Sequence, residues 1–81
     1  MNLTWTEESW EDYVYWQQID KKVLKKINTL IRDIKREPFG GIGKPEPLKH
    51  ELAGYWSRRI TDEHRLVYEV TDYTVIVISC R

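Results

Sequence analysis

The stretch "YWSRRITDEHRLVYEV", residues 55–70, decides the fold, because it predicts two β-strands joined by a short turn in this 81-residue chain. A turn of three residues, 61–63, places Arg59 directly opposite Arg65 on the neighbouring strand. Two guanidinium groups in that arrangement repel each other. We therefore expect an anion to bind beside them.

The register of this hairpin also assigns the other side chains to two faces. Arg59 and Arg65 share their face with Tyr55 and Ser57. The opposite face receives an apolar set that suits a core: Trp56, Ile60, Leu66, Tyr68 and Val70. A two-residue turn would put a charge into this apolar layer, so the three-residue turn is preferred. Arg58 fits neither register well, and we expect it to extend along the sheet edge into solvent.

Length and composition predict one domain over residues 1–81, near the lower size limit for a single apolar core. Hydrophobic residues make up 41% and charged residues 32%, a globular balance. Cys80 is the only cysteine, so nothing indicates disulfides or an oxidising compartment. Apolar runs are too short to span a bilayer, and the N-terminus has no secretory signal pattern. We expect a cytoplasmic protein that does not enter membranes.

The net charge of zero hides an uneven distribution. Residues 1–20 carry a charge of −5, residues 21–36 carry +6, and the remainder carries −1. A local basic surface steers polyanions even when the total charge is zero. The alternative is that acidic and basic helices simply lie side by side, and the totals alone favour it.

Two helices are predicted after a short strand over residues 2–5. Thr6 caps the first helix, which runs to about Gln18. Four residues recur at helical spacing along one face of it: Trp10, Tyr13, Val14 and Gln17. Asp20 caps the second helix, which ends before Pro38. Its apolar stripe predicts a core-facing side: Val23, Leu24, Ile27, Leu30, Ile31 and Ile34.

A loop over residues 38–52 holds all three prolines and three of the four glycines. Glu46 lies between two of these prolines, on stiffened backbone. Strands follow over about 54–60, 64–71 and 73–80. The predicted order is β-α-α-β-β-β, an α+β fold. In it a two-helix hairpin packs on one face of a small, mainly antiparallel sheet and leaves the other face free.

The free face brings together groups that suit phosphate chemistry. Arg59 and Arg65 supply cations, and the stiff loop adds Lys44, Lys49 and the carboxylate of Glu46. RNA cleavage by the ribose 2′-OH requires a base for that proton and cations that stabilise the pentacoordinate phosphorane. The spacing alone is weak support, because exposed Arg and Glu are common on any surface.

The two histidines are candidates for the acid that such a reaction also needs. In the preferred register His64 points to the helix side, which favours a structural role. His50 is left undetermined. Two histidines and one cysteine scattered in this way predict no metal site, and no cofactor is expected.

Three stretches, "WTEESWEDYVYWQ", "KPEPLKHELAGYWSRRITDEHRLVYEV" and the terminal "CR", together closely resemble the YoeB/Txe branch of the RelE/ParE superfamily of bacterial toxins. The resemblance covers nearly the whole chain. It implies a RelE-like, microbial-ribonuclease-like fold and a toxin of a type II toxin-antitoxin system that cuts mRNA in the ribosomal A site.

The same resemblance implies roles and partners. Glu46 would be the general base and Arg65 the phosphate and transition-state ligand, with Lys49 and Arg59 as supporting contacts to RNA. Expected partners are the 70S ribosome with its mRNA, a second copy in a homodimer, and a YefM-like antitoxin that covers the active face. Relatives continue a few residues beyond the position of Arg81, and those residues include a histidine that is the expected general acid. We therefore expect either an omitted tail or a form impaired in cutting.

Two alternatives from other classes remain open. ParE-type relatives share the architecture and inhibit DNA gyrase, a function with no evident need for Glu46, Lys49 and Arg65. The protein could also act mainly as a co-repressor, and because it has no DNA-reading motif it would reach DNA only through the antitoxin.

Overall fold

Two helices and a five-stranded sheet form the computed structural model, which describes residues 1–81. The strands lie in the order β1-β5-β4-β3-β2. The helices are α1 (Glu7–Ile19) and α2 (Lys21–Arg36). The strands are β1 (Asn2–Trp5), β2 (Glu46–Pro47), β3 (Trp56–Arg59), β4 (Arg65–Thr71) and β5 (Thr74–Ser79). The predicted α+β class is confirmed.

Both helix starts follow the predicted capping chemistry. The Thr6 hydroxyl accepts a hydrogen bond from the Ser9 N–H at 3.0 Å, and the Ser9 hydroxyl accepts from the Thr6 N–H at 2.9 Å, which forms a capping box. The Asp20 carboxylate accepts from the N–H groups of Lys22 and Val23. These caps satisfy backbone donors that a helix start otherwise leaves unpaired.

The core-facing side was predicted correctly for α2 but not for α1. Five residues of the predicted α2 stripe are buried and Leu24 packs against them, whereas α1 buries Ser9 and Trp16. Trp10 is 49% exposed, and Gln17 is exposed as well. The reason is that Trp16 donates from Nε1 to the carbonyl of Cys80 at 2.8 Å, and this contact orients α1 against the end of β5.

The predicted hairpin register is confirmed. Arg59 pairs with Arg65, and Trp56 pairs with Tyr68 across β3 and β4. The Thr61 hydroxyl accepts from the N–H of Glu63 and of His64, which holds the three-residue turn. β1 joins the far side of the sheet by pairing in parallel with β5, which places β1 at one edge of the sheet and β2 at the other.

One face of the sheet packs on the helices and the other does not. The helix-facing side buries an apolar layer with zero exposure: Leu66, Tyr68, Val75 and Val77. The side chains of Ile27, Leu30 and Ile34 of α2 are equally buried in this same cluster. The opposite side of β2, β3 and β4 is the open face, and it carries Glu46, Arg59 and Arg65.

The predicted loop contains two short elements that sequence reasoning missed. Glu46–Pro47 forms a two-residue edge strand, β2, which pairs with Ser57 and Trp56 of β3. His50–Leu52 forms a single 3-10 turn. An edge strand tolerates prolines because their missing N–H groups face away from the ladder.

Candidate active site

Cross-strand pairing assembles the candidate site on the open face. Glu46 lies opposite Ser57, and two residues further along β3 Arg59 lies opposite Arg65. Directly paired residues share a face, as do residues two apart on one strand. Diagonal neighbours such as Glu46 and Arg59 have backbone positions about 7–8 Å apart, within reach of long side chains. The carboxylate and both guanidiniums therefore share one surface, as the sequence predicts.

The charged groups of this surface have no protein partners. Glu46, Arg59 and Arg65 are all exposed, and none of them takes part in an ion pair or a side-chain hydrogen bond. Both salt bridges of the molecule belong to Asp33, on the other side of the sheet. The two arginines thus keep their hydrogen-bond donors available for an anion.

The loop that carries the predicted lysines is fixed along β3. The N–H of Arg59 donates to the Gly43 carbonyl at 2.7 Å, and the N–H of Leu48 donates to the Tyr55 carbonyl at 2.9 Å. Lys44 follows Gly43 directly and is exposed, and Lys49 follows Leu48 and is also exposed. The backbone thereby holds both lysines at the same sheet edge as Glu46.

The candidate site lies on the open face, as predicted, and not in any of the concavities of the molecule. Three concavities of about 270–380 Å³ occur on the molecule, and none is lined by Glu46, Arg59 or Arg65. A shallow charged face suits a polymer laid across it better than a small molecule, because small ligands bind in concave sites.

Arg58 is the clearest failure of sequence reasoning. It does not extend into solvent, since its side chain is fully buried. Nε donates to the Tyr68 hydroxyl at 3.1 Å, and the terminal nitrogens donate to Asp33 at 2.6 Å and to three loop carbonyls. Those carbonyls belong to Glu37, Gly40 and Ile42. Arg58 therefore fastens the loop before Glu46 onto α2 and β3.

Asp33 completes this buried arrangement. Hydrogen bonds from Arg36, from the Ile42 N–H and from Arg58 lower the pKa of the Asp33 carboxyl to about 2, although burial opposes them. Gly41 has a φ of 98°, and a Cβ at that position would collide with the Asp33 carboxylate. The glycine is thus required both by its backbone angle and by the approach of the loop to Asp33.

Comparison with known proteins identifies the family. Residues 5–81 match the family model described as the YoeB-like toxin of bacterial type II toxin-antitoxin system. The chain is 64% identical over 81 residues to Toxin YoeB of Escherichia coli strain K12, covering all of this chain and 96% of that protein. This chain belongs to the YoeB-like toxins. Toxin YoeB of Synechocystis is 62% identical, with 100% and 94% of the two chains covered.

Solved structures of YoeB-like toxins agree with the fold. The YoeB/ParE toxin from Agrobacterium tumefaciens superposes with a TM-score of 0.98 at 58% identity, covering all of this chain and 96% of that one. YafQ from Escherichia coli, at 21% identity and a TM-score of 0.74 over 98% and 89% of the chains, shares the fold alone. The toxin assignment therefore rests on the family match and not on architecture.

The two histidines of this YoeB-like toxin lie in different places. His64 packs edge-on against Trp16, with ring centroids 4.9 Å apart, so it faces the helices as predicted. It is therefore separated from Glu46 by the sheet. His50 begins the 3-10 turn after Lys49, is exposed, and has a φ of 59°. Only His50 is on the loop that carries the candidate site.

Ser57 is a residue of this face that sequence reasoning did not single out. It is fully buried although it lies on the open face, and its hydroxyl is the one buried side-chain oxygen or nitrogen without a hydrogen-bond partner. The signal available in the sequence was its position two residues before Arg59 on the same strand face. Nothing in the sequence indicated its pairing with Glu46.

Two further features bear on the class of protein. No helix here combines the length and the apolar character that crossing a bilayer requires. Cys80 is buried beside the Ser9 carbonyl, and burial, with a smaller effect of Asp12, raises the pKa of its thiol to about 12. A thiol with that pKa is a poor nucleophile at neutral pH, so Cys80 is structural.

Proposed function

We propose that this YoeB-like toxin is a ribosome-dependent endoribonuclease that cuts mRNA in the A site and so stops translation. The observation that carries the proposal is the grouping of one unpaired carboxylate, Glu46, with two unpaired guanidiniums, Arg59 and Arg65, on an open face. This surface does not carry a comparable set of groups for acyl transfer or redox chemistry. Phosphodiester cleavage needs a base and cations, and this surface has both.

The chemistry assigns each group one task. Glu46 accepts the proton of the ribose 2′-OH, and the resulting oxygen attacks the adjacent phosphorus. Arg65 stabilises the extra negative charge of the phosphorane, since donors aimed at developing charge lower the barrier. The bond to the 5′ oxygen then breaks as that oxygen takes a proton from water, which leaves a cyclic phosphate. Lys44, Lys49 and Arg59 bind neighbouring phosphates of the message.

Two protein partners belong to the proposal. The YoeB-YefM complex of Staphylococcus aureus contains a toxin 51% identical to this chain with a TM-score of 0.94, and a YoeB dimer from the same species is 52% identical. We extend both assemblies to this chain. A YefM-like antitoxin would set acidic side chains against Arg59 and Arg65 in place of phosphates. The toxin would act in the cytoplasm, reaching DNA only through its antitoxin.

The test is a translating extract in which the 5′ ends of the message are mapped after addition of purified toxin. The wild-type protein should generate new ends at A-site codons, and Glu46→Gln should lower the cleavage rate about 10²–10⁴-fold, the usual contribution of a general base. Glu69→Gln is the matched control, because Glu69 is a carboxylate on β4 that pairs with Ile76, away from Arg59. It should cut at the wild-type rate.

Two results would contradict the proposal. Glu46→Gln cutting as fast as wild type would remove the general base. An uncut message, together with inhibition of supercoiling by purified DNA gyrase, would instead assign the protein to the ParE-like class of gyrase inhibitors.

A further inference from the structure

We infer that Ser57 is a positioning residue for Glu46: when the Glu46 side chain turns toward β3, the unpartnered Ser57 hydroxyl donates a hydrogen bond to its carboxylate and holds that carboxylate over the face where Arg59 and Arg65 lie. The effect on RNA cleavage rests on the function proposed above. The contact itself does not depend on that function, and it can be measured without RNA.

The inference starts from a buried hydroxyl that has nothing to bind. Ser57 has zero exposure, and its Oγ is the one buried side-chain polar atom without a partner. Buried polar groups in folded proteins are hydrogen-bonded with few exceptions, because water no longer satisfies them. An unpartnered hydroxyl at a candidate site therefore indicates an acceptor that completes the site.

The register limits the acceptor to one side chain. Ser57 pairs with Glu46 on one side and with Val67 on the other, and Tyr55 and Arg59 are its neighbours on the same strand face. Val67 has no polar atom, and the Arg59 guanidinium has donors only. The phenol oxygen of Tyr55 is at the far end of its ring. Glu46 is left as the acceptor: the two side chains are not hydrogen-bonded in this structure, but the Cβ atoms of directly paired residues lie about 5 Å apart, so a change of the Glu46 rotamer brings its carboxylate to the Ser57 hydroxyl.

The consequence for Glu46 is orientation. Glu46 lies on a strand of two residues at the sheet edge, is exposed, and has no side-chain partner. A glutamate in that setting samples several rotamers, whereas a hydrogen bond to its buried neighbour selects one.

A positioning role and a structural role predict different results for Ser57→Ala. The Ser57 hydroxyl makes no hydrogen bond that holds the fold, so its removal should leave the melting temperature unchanged or raise it. Catalysis should fall all the same, because Glu46 loses its orientation. A loss of activity without a loss of stability therefore separates the two roles.

The kinetic experiment measures single-turnover cleavage of mRNA on the ribosome across a range of toxin concentrations. Ser57→Ala should lower the maximal rate about 10-fold with half-saturation unchanged. Ser57→Thr keeps the hydroxyl and should restore the maximal rate. Ser79→Ala is the matched control on β5, where Ser79 pairs with Val67, and it should behave as wild type.

The sharpest kinetic test compares Glu46→Gln alone with the double variant that also carries Ser57→Ala. If Ser57 acts through Glu46, adding Ser57→Ala to Glu46→Gln should lower the residual rate no further. A second full loss in that background, or a wild-type maximal rate for Ser57→Ala alone, would overturn the inference.

A measurement without RNA keeps the inference separate from the proposed nuclease. Carboxyl-carbon NMR at neutral pH should show the Glu46 resonance shifted in Ser57→Ala and the Glu69 resonance unchanged. A Glu46 resonance that does not move, or a Glu69 resonance that moves in its place, would overturn the contact. If the Glu46 resonance shifts while wild-type toxin leaves mRNA intact, the contact stands and the proposed function fails.

Discussion

Arg58 and Arg59 are neighbours on β3, yet the two arginines lie in opposite environments. Arg58 is fully buried and donates hydrogen bonds to Asp33, to Tyr68 and to three carbonyls of the loop. Arg59 is exposed and its side chain has no partner. Alternation of side chains along a strand is sufficient to produce this difference.

The comparison separates stability from function within one dipeptide. A guanidinium has five donors, and in the interior every one of them that lacks an acceptor is costly. Arg58 meets that requirement by gathering acceptors from α2, β4 and the loop, so it organises the fold. The Arg59 guanidinium has no acceptor in the protein, so its donors are available to a ligand.

The largest expected effect is on Arg58. Arg58→Met should destabilise the protein by about 3–5 kcal/mol, because it removes the buried partner of Asp33 and the donor of three partly buried loop carbonyls. For a domain of this size, that is a large part of a total stability of about 5–15 kcal/mol. Urea unfolding followed by Trp fluorescence measures the change.

Arg59→Met is the control for that experiment, since it makes the same chemical change one residue along. It should alter the stability by less than about 0.5 kcal/mol, and removal of the repulsion from Arg65 favours a small gain. Equal losses for the two variants would contradict the contrast between the two faces.

The next effect concerns nucleic-acid binding. Arg65→Met should weaken binding of single-stranded RNA and lower the slope of log affinity against log salt by about 0.7, the value for one lost phosphate contact. Fluorescence anisotropy at several salt concentrations provides both quantities. Arg32→Met, an exposed arginine of α2, should leave the slope unchanged. A lower slope for Arg32→Met alone would place the RNA on the basic helix instead.

A smaller effect is the pH dependence of stability that arises from Asp33. Its pKa is about 2 in the folded protein against an ordinary value of 3.8, so the unfolded chain binds a proton first as the pH falls. The stabilisation is therefore complete above about pH 4 and is lost as the pH falls toward 2. In Asp33→Asn, the slope of melting temperature against pH should be shallower in that window. An unchanged slope would show that Asp33 is not responsible.

The smallest expected effect is on Cys80, on the covered side. Because its thiol is buried with a pKa of about 12, iodoacetamide at pH 7.5 should leave the native protein unlabelled and should label it in urea. Mass spectrometry measures the mass that labelling adds. Rapid labelling of the native protein would mean that α1 opens readily from β5.

The sequence predicted what depends on local rules. Turn length and alternation were sufficient for the pairing of Arg59 with Arg65, and capping preferences located Thr6 and Asp20 at the helix starts. The apolar period of α2 was long and regular enough to identify its buried side. Each of these features is explained by residues that lie close together in the sequence.

What the sequence did not predict depends on contacts between distant residues. Asp33 lies 25 positions from Arg58, and three of the other acceptors are loop carbonyls that carry no side-chain signature. The pairing of Glu46 with Ser57 was missed because flanking prolines are typical of a loop. The inward side of α1 was assigned wrongly because the Trp16 contact with Cys80 spans 64 positions.

The strand order has a consequence for folding during synthesis. β5 is the last strand of the sequence, yet it lies between β1 and β4 and pairs with both. A nascent chain whose β5 is still inside the exit tunnel lacks this inner strand, and β1 then has no partner. The five-stranded sheet is therefore completed only after β5 emerges.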